Sequence, residues 1–246
     1  YGAGFSSVII GADGLPIISH GGNSLDISHC SNLKCTSVRT STLVSENTMG
    51  ISMTLGSDGL AVMSYFSPSD DFRASVGPND SLKIAHCSNI QCTSATITTL
   101  NTHLSGTFSS ISIGRDGNPL IAYSGLSNES PSLNVVNCWD KKCSKSNINY
   151  ELDAKGASFI SMATRENGIS LISYRNSYGF KVAKCSDWSC SNTTNTILES
   201  ENISGNAPFT SMAIGEDGLG IVSYGERESL TLKIAHCETI QCRDSI

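Results

Sequence analysis

Charged residues are scarce in this chain, and no segment collects charges of one sign. Asp, Glu, Lys and Arg make up 15% of the 246 residues, and the formal net charge is −6. Proteins that hold nucleic acid or an anionic membrane by bulk electrostatics cluster their Lys and Arg residues. The absence of such a cluster predicts that nucleic acid is not a partner.

Long apolar segments are also absent, as are the Glu-, Lys- and Ala-rich stretches typical of helices. No apolar run approaches the roughly 18 residues that a membrane-spanning helix needs, so we predict no insertion into a membrane. Proline is rare, with 6 residues, whereas glycine contributes 22. This composition favours short strands joined by tight turns. The length suits a single all-β domain of residues 1–246.

One unit, present in five copies, accounts for most of the chain. Each copy begins with a short strand that ends in a turn: FSSVIIGADG (5–14), GISMTLGSDG (50–59), FSSISIGRDG (108–117), FISMATRENG (159–168) and FTSMAIGEDG (209–218). The same column of every copy holds a serine, here called a column serine: Ser7, Ser52, Ser110, Ser161 and Ser211. Its recurrence in every copy indicates a structural role.

The rest of each copy predicts three more strands. Asp-Gly, or Asn-Gly in the fourth copy, tolerates the positive φ angles of a type I′ turn and predicts a tight hairpin between the first two strands. Second strands such as LAVMSY (60–65) are rich in β-branched and aromatic residues, and third strands such as SLKIAHC (81–87) alternate apolar and polar residues. The second Cys of each copy is expected to open a Thr-rich fourth strand, most clearly in CTSATITTL (92–100). Each copy is therefore a predicted four-stranded antiparallel meander.

The spacing of the copies predicts a five-bladed β-propeller. The turn glycines are 45, 58, 51 and 50 residues apart, which matches blades of roughly 40 to 50 residues with insertions. The repeats span about 1–49, 50–106, 107–157, 158–207 and 208–246. Neighbouring blades must stack, and closing the ring would remove the exposed ends of the stack. An open β-solenoid or linear array is the alternative. Because only four residues follow Cys242, the last outer strand is expected to be short, completed by residues 1–5, or missing.

The ten cysteines form five pairs that always enclose four residues. The pairs are Cys30/Cys35, Cys87/Cys92, Cys138/Cys143, Cys185/Cys190 and Cys237/Cys242. Facing positions across a four-residue hairpin loop bring two Cβ atoms close enough for a disulfide. We predict one disulfide per blade. Disulfides persist in oxidising compartments, so the chain is predicted to be secreted or periplasmic.

A zinc site is the alternative role for these cysteines, because His29, His86 and His236 each precede a Cys. Structural zinc needs four ligands, but each pair belongs to its own blade and two blades lack the histidine. Adjacent residues of a strand also point to opposite faces. We therefore predict neither a metal nor another cofactor.

The composite repeat resembles that of a known group of proteins. The pattern S-[ILVM]-x-[IL]-G-x-D-G-[LN]-P-[IL]-I-S-Y, followed by L-K-[IV]-A-H-C-x₄-C-T-S-x-T-I-T-T, resembles a repeat common in large secreted bacterial proteins of unassigned function. That resemblance implies secretion and a repeated β fold, with no activity attached. At the level of fold, the chain also looks like small five-bladed lectins that bind amino sugars in repeated pockets.

Two sets of aromatic residues are candidate ligand-binding residues. The first set ends the second strand of each blade: His20, Tyr65, Tyr123, Tyr174 and Tyr224. These rings could stack on sugars, although packing between blades is the favoured alternative. The second set is Trp139 and Trp188, which lie inside Cys loops where a large ring is hard to bury.

These features lead to a non-catalytic extracellular recognition or adhesion module as the main functional prediction. It would bind a glycan or other surface polymer at repeated sites and gain avidity. No G-x-S-x-G elbow, P-loop or H-E-x-x-H motif is present. One alternative is a structural propeller within a larger secreted assembly. The other is a glycoside hydrolase, for which the acids that break the repeat are candidates: Asp70, Asp71, Asp80, Glu151, Asp153, Glu199, Glu201, Glu226 and Glu228.

Overall fold

A computed structural model of the chain confirms the predicted architecture. It describes residues 5–68, 80–100, 104–127, 130–145, 148–200, 209–225 and 231–239. The strands form five antiparallel sheets, four of them four-stranded and the fifth three-stranded within the described ranges. Each sheet is one repeat, so the chain folds as five blades of a β-propeller. No helix in the described ranges is long and apolar enough to cross a membrane.

The strand bounds follow the repeats in chain order. Blade 1 has β1 (Ser6–Ile10), β2 (Pro16–Gly21), β3 (Leu25–Cys30) and β4 (Val38–Val44). Blade 2 has β5 (Met49–Leu55), β6 (Ala61–Ser67), β7 (Ser81–Cys87) and β8 (Ala95–Leu100). Blade 3 has β9 (Leu104–Ile113), β10 (Pro119–Ser127), β11 (Ser130–Asn137) and β12 (Ile148–Ala154). Blade 4 has β13 (Ser158–Thr164), β14 (Ser170–Asn176), β15 (Gly179–Cys185) and β16 (Thr193–Ser200). Blade 5 has β17 (Thr210–Ile214), β18 (Gly220–Gly225) and β19 (Leu232–His236).

The turns between the first two strands differ from the predicted type I′ geometry. In blade 1, the Gly14 N–H donates to the Gly11 carbonyl at 2.9 Å, and Gly14 alone in this turn has a positive φ, +79°. The Asp13 carboxylate accepts the N–H of Leu15 at 3.1 Å. This is a type I turn followed by a glycine in the left-handed region. The type I′ prediction is wrong because the Asp side chain bonds to the backbone two residues on and leaves the positive φ to glycine.

Four of the five predicted disulfides are formed within the described residues. Their Cα atoms lie 4.7 to 5.0 Å apart, in the pairs Cys30–Cys35, Cys87–Cys92, Cys138–Cys143 and Cys185–Cys190. Cys237 is also disulfide-bonded, and its predicted partner Cys242 lies outside the described residues.

The second cysteine of each pair does not open the fourth strand, and that prediction is wrong. In blade 2 the strand begins at Ala95, three residues after Cys92. The backbone at the second cysteine has a left-handed φ that a strand does not allow: 51° at Cys35, 50° at Cys92, 55° at Cys143 and 55° at Cys190. The N–H of each of these residues donates to the carbonyl three residues earlier, as in the bond from Cys35 to Asn32 at 3.0 Å. A tight turn therefore closes each Cys loop before the fourth strand starts.

The core consists of apolar layers between successive blades. We call the side of a blade that packs on the next blade its forward face, and the other side its rear face. Between blades 4 and 5, Leu171, Phe180 and Val182 of the forward face pack with Met212 and Val222 of the rear face. Equivalent clusters join blades 1 to 2, 2 to 3 and 3 to 4. Each blade is therefore stabilised mainly by its neighbours.

The column serines add a hydrogen bond to each of these layers. The hydroxyl oxygen of Ser7 accepts the backbone N–H of Met53 in the next blade, at 3.1 Å. Ser52, Ser110 and Ser161 accept the corresponding N–H of the following blade at 3.2, 2.9 and 3.0 Å. We call this series the serine ladder. It explains the recurrence of the serine in blades 1 to 4.

Blades 5 and 1 do not pack on each other in this way within the described chain. The inner strands β1, β5, β9, β13 and β17 pack in that order, and among the described strands β17 has no comparable packing against β1. Val8 on the rear face of blade 1 and Leu232 on the forward face of blade 5 are exposed. We call the region between these two faces the seam. The expected closure of the ring by direct blade packing is not observed here.

The serine ladder predicts unequal effects of the same substitution in different blades. Ser110→Ala removes the acceptor of the buried Met162 N–H and should lower the free energy of unfolding by about 1 to 2 kcal/mol. Ser211→Ala, the matched control at an exposed ladder position, should change it by less than about 0.5 kcal/mol. Urea denaturation with the disulfides intact measures both values. Equal losses in the two variants would contradict a role for the ladder.

Candidate functional site

The path of the chain assigns every loop to one of two faces of the propeller. The turn face carries the Asp-Gly hairpins and the Cys loops. The connection face carries the links between second and third strands and the links from each fourth strand to the next blade. The two faces are therefore separated by the length of a strand, and a residue on one face cannot join a site on the other.

A cavity of about 300 Å³ lies on the connection face between blades 3 and 4. We call it the blade 3/4 pocket. Its lining includes Phe108, Ser124, Lys155, Ser158, Arg175 and Ser177. A volume of this size is at the small end of the range for small-molecule sites, which is roughly 300 to 1,000 Å³. It suits a single sugar unit better than a long segment of polymer.

A short hairpin in blade 4 forms one side of the pocket. β14 ends at Asn176 and β15 begins at Gly179, whereas the same connection in blade 2 runs from Ser67 to Ser81. Gly179 has a φ of +133°, and a Cβ there would overlap the carbonyl oxygen of Glu199. Only glycine fits such a close approach. The hairpin therefore passes close to β16.

Lys155 and Arg175 are the charged residues that line the pocket, and no carboxylate among the described residues does. Lys155 is exposed, whereas the Arg175 side chain is buried and lies on the forward face of blade 4, beside its strand partner Phe180. The Nζ atoms of Lys155 and Lys181 each lie 5.9 Å from the centre of the Tyr178 ring. Cations at this distance are attracted to the face of an aromatic ring. In a chain whose net charge is −6, the pocket thus presents the positive charge of Lys155.

The backbone on the blade 4 side of the pocket is strained. Lys155 has a φ of +114° and Phe159 has a φ of +55°, and apart from the paired cysteines no other non-glycine residue in the described ranges has a positive φ. The Phe159 carbonyl accepts a hydrogen bond from the Thr210 hydroxyl at 2.7 Å. Such conformations cost of order 1 to 3 kcal/mol and persist only where surrounding contacts impose them. Their place beside a cavity identifies this segment as a functional candidate.

Three phenylalanine rings follow one another along the inner strands near the pocket. Phe159 lies between Phe108 and Phe209, with ring centroids 4.6 and 4.9 Å away. Phe108 also lines the pocket, and Phe209 is exposed. We call these rings the phenylalanine arc. An apolar surface of this kind next to hydroxyl groups suits the mixed apolar and polar faces of a sugar.

The predicted tyrosine column lies between blades, away from the pocket lining. Tyr174 is buried, its hydroxyl donates to Asp153 at 2.5 Å, and Lys181 donates to the same carboxylate at 2.8 Å. In blade 2, Tyr65 and Lys83 donate to Glu46 in the same arrangement, at 3.2 and 2.8 Å.

Burial, followed by the effect of the neighbouring carboxylate, raises the pKa of Tyr65 and of Tyr174 above the usual value for tyrosine. Both hydroxyls therefore stay neutral in the folded protein at physiological pH.

The remaining members of the column are not brought together either. Tyr123 and Tyr224 are buried, and Nε2 of half-buried His20 lies 3.3 Å from the Ser28 hydroxyl oxygen. Each residue belongs to a different blade, so the structure forms no single site from them. Their role in ligand binding stays a prediction.

The two tryptophans are exposed, but on the other face from the pocket. Trp139 is 57% exposed and Trp188 is 43% exposed, both in Cys loops of the turn face. They cannot contact a ligand bound in the blade 3/4 pocket. A separate role for them in binding stays a prediction.

Among the acids considered for a hydrolase, those described by the structure do not form an acid and base pair in the pocket. Asp153 is bound to Lys181 at 2.8 Å, and Glu199 is bound to Lys233 at 2.6 Å. Asp80 and Glu151 do not line the cavity. The other acids named above, Asp70, Asp71, Glu201, Glu226 and Glu228, lie outside the described residues.

The histidines that precede cysteines bind hairpin turns on the turn face. Nε2 of His29 lies 3.0 Å from Asp13, and the His86–Asp58 and His236–Asp217 pairs have distances of 3.1 and 2.9 Å. Each pair joins the third strand of a blade to its first turn. In the part of the chain that the structure describes, no three His, Cys, Asp or Glu side chains are placed to hold a metal ion.

The aligned blades contain one sequence signal for the pocket, which the repeat pattern did not reveal. The residue after the tyrosine column is Gly21, Phe66, Ser124, Arg175 or Gly225. Arg175 is the only charged residue at this position. Without a structure, however, nothing connected it to Lys155, which lies in the link between blades 3 and 4.

Comparisons with known proteins show the fold. No family model and no curated protein sequence matches the chain. A protein of unknown function from Dyadobacter fermentans is 12% identical, with 99% of this chain and 81% of that chain covered and a TM-score of 0.68.

Two further solved structures are named as enzymes. An α-L-arabinofuranosidase from Fusarium graminearum, in complex with an iminosugar inhibitor, is 10% identical, with coverages of 98% and 79% and a TM-score of 0.71. An α-L-arabinanase from Penicillium chrysogenum, complexed with arabinobiose, is 12% identical, with coverages of 94% and 76% and a TM-score of 0.60.

These structures correct our main functional prediction. The expectation of a non-catalytic recognition or adhesion module is wrong, because the chain shares its fold with proteins named as hydrolases of glycosidic bonds. The repeats obscured the glycoside hydrolase alternative because they suggest similar sites in all blades, whereas the observed pocket belongs to two blades only.

The raised tyrosine pKa values predict a loss of stability in alkali. Above about pH 10, tyrosines ionise in the unfolded chain, while Tyr65 and Tyr174 stay protonated in the folded chain. The folded state then binds more protons, so stability should fall by about 1.4 kcal/mol per pH unit for each of them. Tyr174→Phe should reduce this slope, because it removes one of the two tyrosines with a raised pKa.

Denaturant unfolding between about pH 9 and pH 11 would measure the slope, and ultraviolet absorbance would follow tyrosine ionisation. An unchanged slope in Tyr174→Phe would contradict the assigned contact with Asp153.

Proposed function

We propose that this chain is a glycoside hydrolase that acts on an anionic glycan, whose acidic group binds beside Lys155 in the blade 3/4 pocket. The observation that carries the proposal is the composition of this pocket. It combines the exposed cation Lys155, serine hydroxyls and one ring of the phenylalanine arc on a fold shared with glycosidases. Neutral sugars alone would not require a cation in the lining.

The positive charge of Lys155 favours an acidic group on the substrate. The lysine ammonium is a mobile point charge that can donate hydrogen bonds to a carboxylate. A sulfate ester offers similar acceptor oxygens.

The hydroxyl groups and the aromatic arc fit the rest of a sugar. Ser124, Ser158 and Ser177 come from different strands or loops around the cavity. Hydroxyls can donate or accept, so they can match the hydroxyl pattern of a sugar ring. The arc extends the apolar surface from Phe108 toward the adjoining inner strands. A polymer could therefore continue beyond the unit held in the pocket.

Hydrolysis of a glycosidic bond would use two carboxyl groups, one to protonate the leaving oxygen and one to activate water or to attack. Asp153 is held by Tyr174 and Lys181 in an arrangement that blade 2 repeats with Glu46, which supports a structural role. We therefore assign no catalytic acid or base.

The disulfides support a site of action outside the cytoplasm, where polysaccharides are accessible.

The proposal predicts the class of polymer that is cleaved. The oxidised chain would be incubated with polygalacturonate, alginate, chondroitin sulfate, arabinan and xylan, and new reducing ends would be measured. We expect cleavage of at least one acidic polymer, with weaker action at higher salt because screening reduces the attraction between charges. Binding of acidic polymers without cleavage of any would contradict the hydrolase. Cleavage of neutral polymers alone would contradict the anionic substrate.

Substitution of the exposed pocket cation should weaken substrate binding more than the same substitution on the turn face. Lys155→Gln should weaken the apparent affinity for the acidic polymer by about tenfold, the loss expected for one charge-assisted contact. Lys34→Gln removes an exposed cation from a Cys loop on the turn face and is the control. Isothermal calorimetry or KM values measure both, and equal effects would exclude a specific role for Lys155.

A further inference from the structure

The first blade exposes a position that every other blade buries. Val8, the residue after the column serine of blade 1, is 63% exposed. The equivalent residues Met53, Ile111, Met162 and Met212 are all at most 7% exposed. In those blades the residue packs on the forward face of the preceding blade. Val8 has no such partner layer in the described chain, and its exposure is a property of its place in the order of blades.

The fifth blade exposes the complementary face. Leu232 and Ile234 on the third strand are 73% and 62% exposed. In blade 4 the equivalent Phe180 and Val182 are 1% exposed, and the equivalent pairs of blades 1 to 3 are buried as well. The alternation of apolar residues in β19 is thus the pattern of a buried strand. Exposed patches of this kind usually mark a contact surface.

The seam has one ladder acceptor on blade 5 and one ladder donor on blade 1, and they do not bond to each other. Ser211 occupies the ladder position on blade 5, and no hydrogen bond joins it to blade 1 among the described residues. The N–H of Val8 is the group that would donate to a preceding column serine. Each side of the seam is therefore one half of an interface. Blade 5 has an exposed apolar forward face with a serine acceptor, and blade 1 has an exposed apolar rear face with an N–H donor.

We propose that the seam is the docking site for one additional blade of the same repeat. The rear face of such a blade would place a Met or Ile side chain against Leu232 and Ile234. Its forward face would place Leu and Ile side chains against Val8. Its column serine would accept the Val8 N–H, and its own N–H would donate to Ser211. One blade has one face of each kind, so a single blade completes both half-interfaces with the contacts already formed at the other blade interfaces.

A second copy of this chain fits the seam less well. If a second copy docked the rear face of its first blade on Leu232 and Ile234, that contact would cover one face of each copy. The forward face of the second copy's fifth blade would stay exposed. Head-to-tail contacts of that type continue without end unless the rotation closes. A single blade closes the series at once. The proposal does not depend on the hydrolase activity, because none of the seam residues lines the blade 3/4 pocket.

The test adds one blade to the chain and asks whether it covers the seam. Cys242 is the equivalent of Cys92, so residues 1–242 can be followed by a copy of residues 93–157, which supplies an outer strand and a sixth blade. Val8→Ser is then made in the original and in the extended chain, with Met162→Ser as the matched buried control. Thermal unfolding and analytical ultracentrifugation are measured on all variants.

In the original chain, Val8→Ser should lower the unfolding midpoint by less than about 2 °C, whereas Met162→Ser should lower it by about 5 °C or more. In the extended chain, which should be monomeric, Val8→Ser should become as damaging as Met162→Ser. If Val8→Ser remains harmless there, the added blade does not dock and the proposal is wrong. If it is already damaging in the original chain, blades 5 and 1 pack directly and the proposal is also wrong.

The oligomeric state of the original chain is the last result that tests the proposal. A stable dimer or longer oligomer of the original chain that Ile234→Glu dissolves would identify a second copy as the occupant of the seam and overturn the single-blade proposal.

Discussion

Each blade of this chain can bury its apolar faces only against another blade, and the rest of the structure depends on that constraint. A four-stranded sheet with apolar residues on both faces is unstable in water alone, because too little of its surface is removed from solvent. The layers between blades supply this burial, and the serine ladder fixes how successive inner strands are placed. Disulfides within the blades hold the turns, but they cannot replace the layers.

The blade 3/4 pocket is a consequence of this construction at one interface where the repeat is broken. Regular strands hold Phe108 and Arg175 in place on adjacent blades, while the link between the blades carries Lys155 in a left-handed conformation. A cavity can therefore form at the edge of a layer without disturbing the layer itself. Function on a propeller can change through such links and hairpins because the packed strands tolerate little alteration.

The repeats allowed the fold to be predicted almost strand by strand, because periodic positions in a β-strand directly determine which residues face the same side. The disulfides followed from the fixed spacing of the cysteines, but the left-handed turn at Cys35 and its equivalents did not. The hairpin turn type was wrong because the Asp13 side chain competes for the backbone, an interaction that a dipeptide rule does not include. The pocket was missed because Lys155 lies in a link that is not repeated, and only packing brings it close to Phe108 of the preceding blade. Repetition is thus informative about the scaffold, whereas the candidate site lies where repetition fails.

Backbone amide hydrogen exchange is the most direct test of the claim that the layers between blades hold the molecule together. The amide protons of Met53, Ile111, Met162 and Met212 donate to column serines, and the account predicts slow exchange for all of them. The amide of Val8 occupies the same place in its own strand but faces the seam, and it should exchange faster by several orders of magnitude. Equal protection of Val8 and Met162 would contradict the account, because contacts within each blade would then suffice for the observed stability.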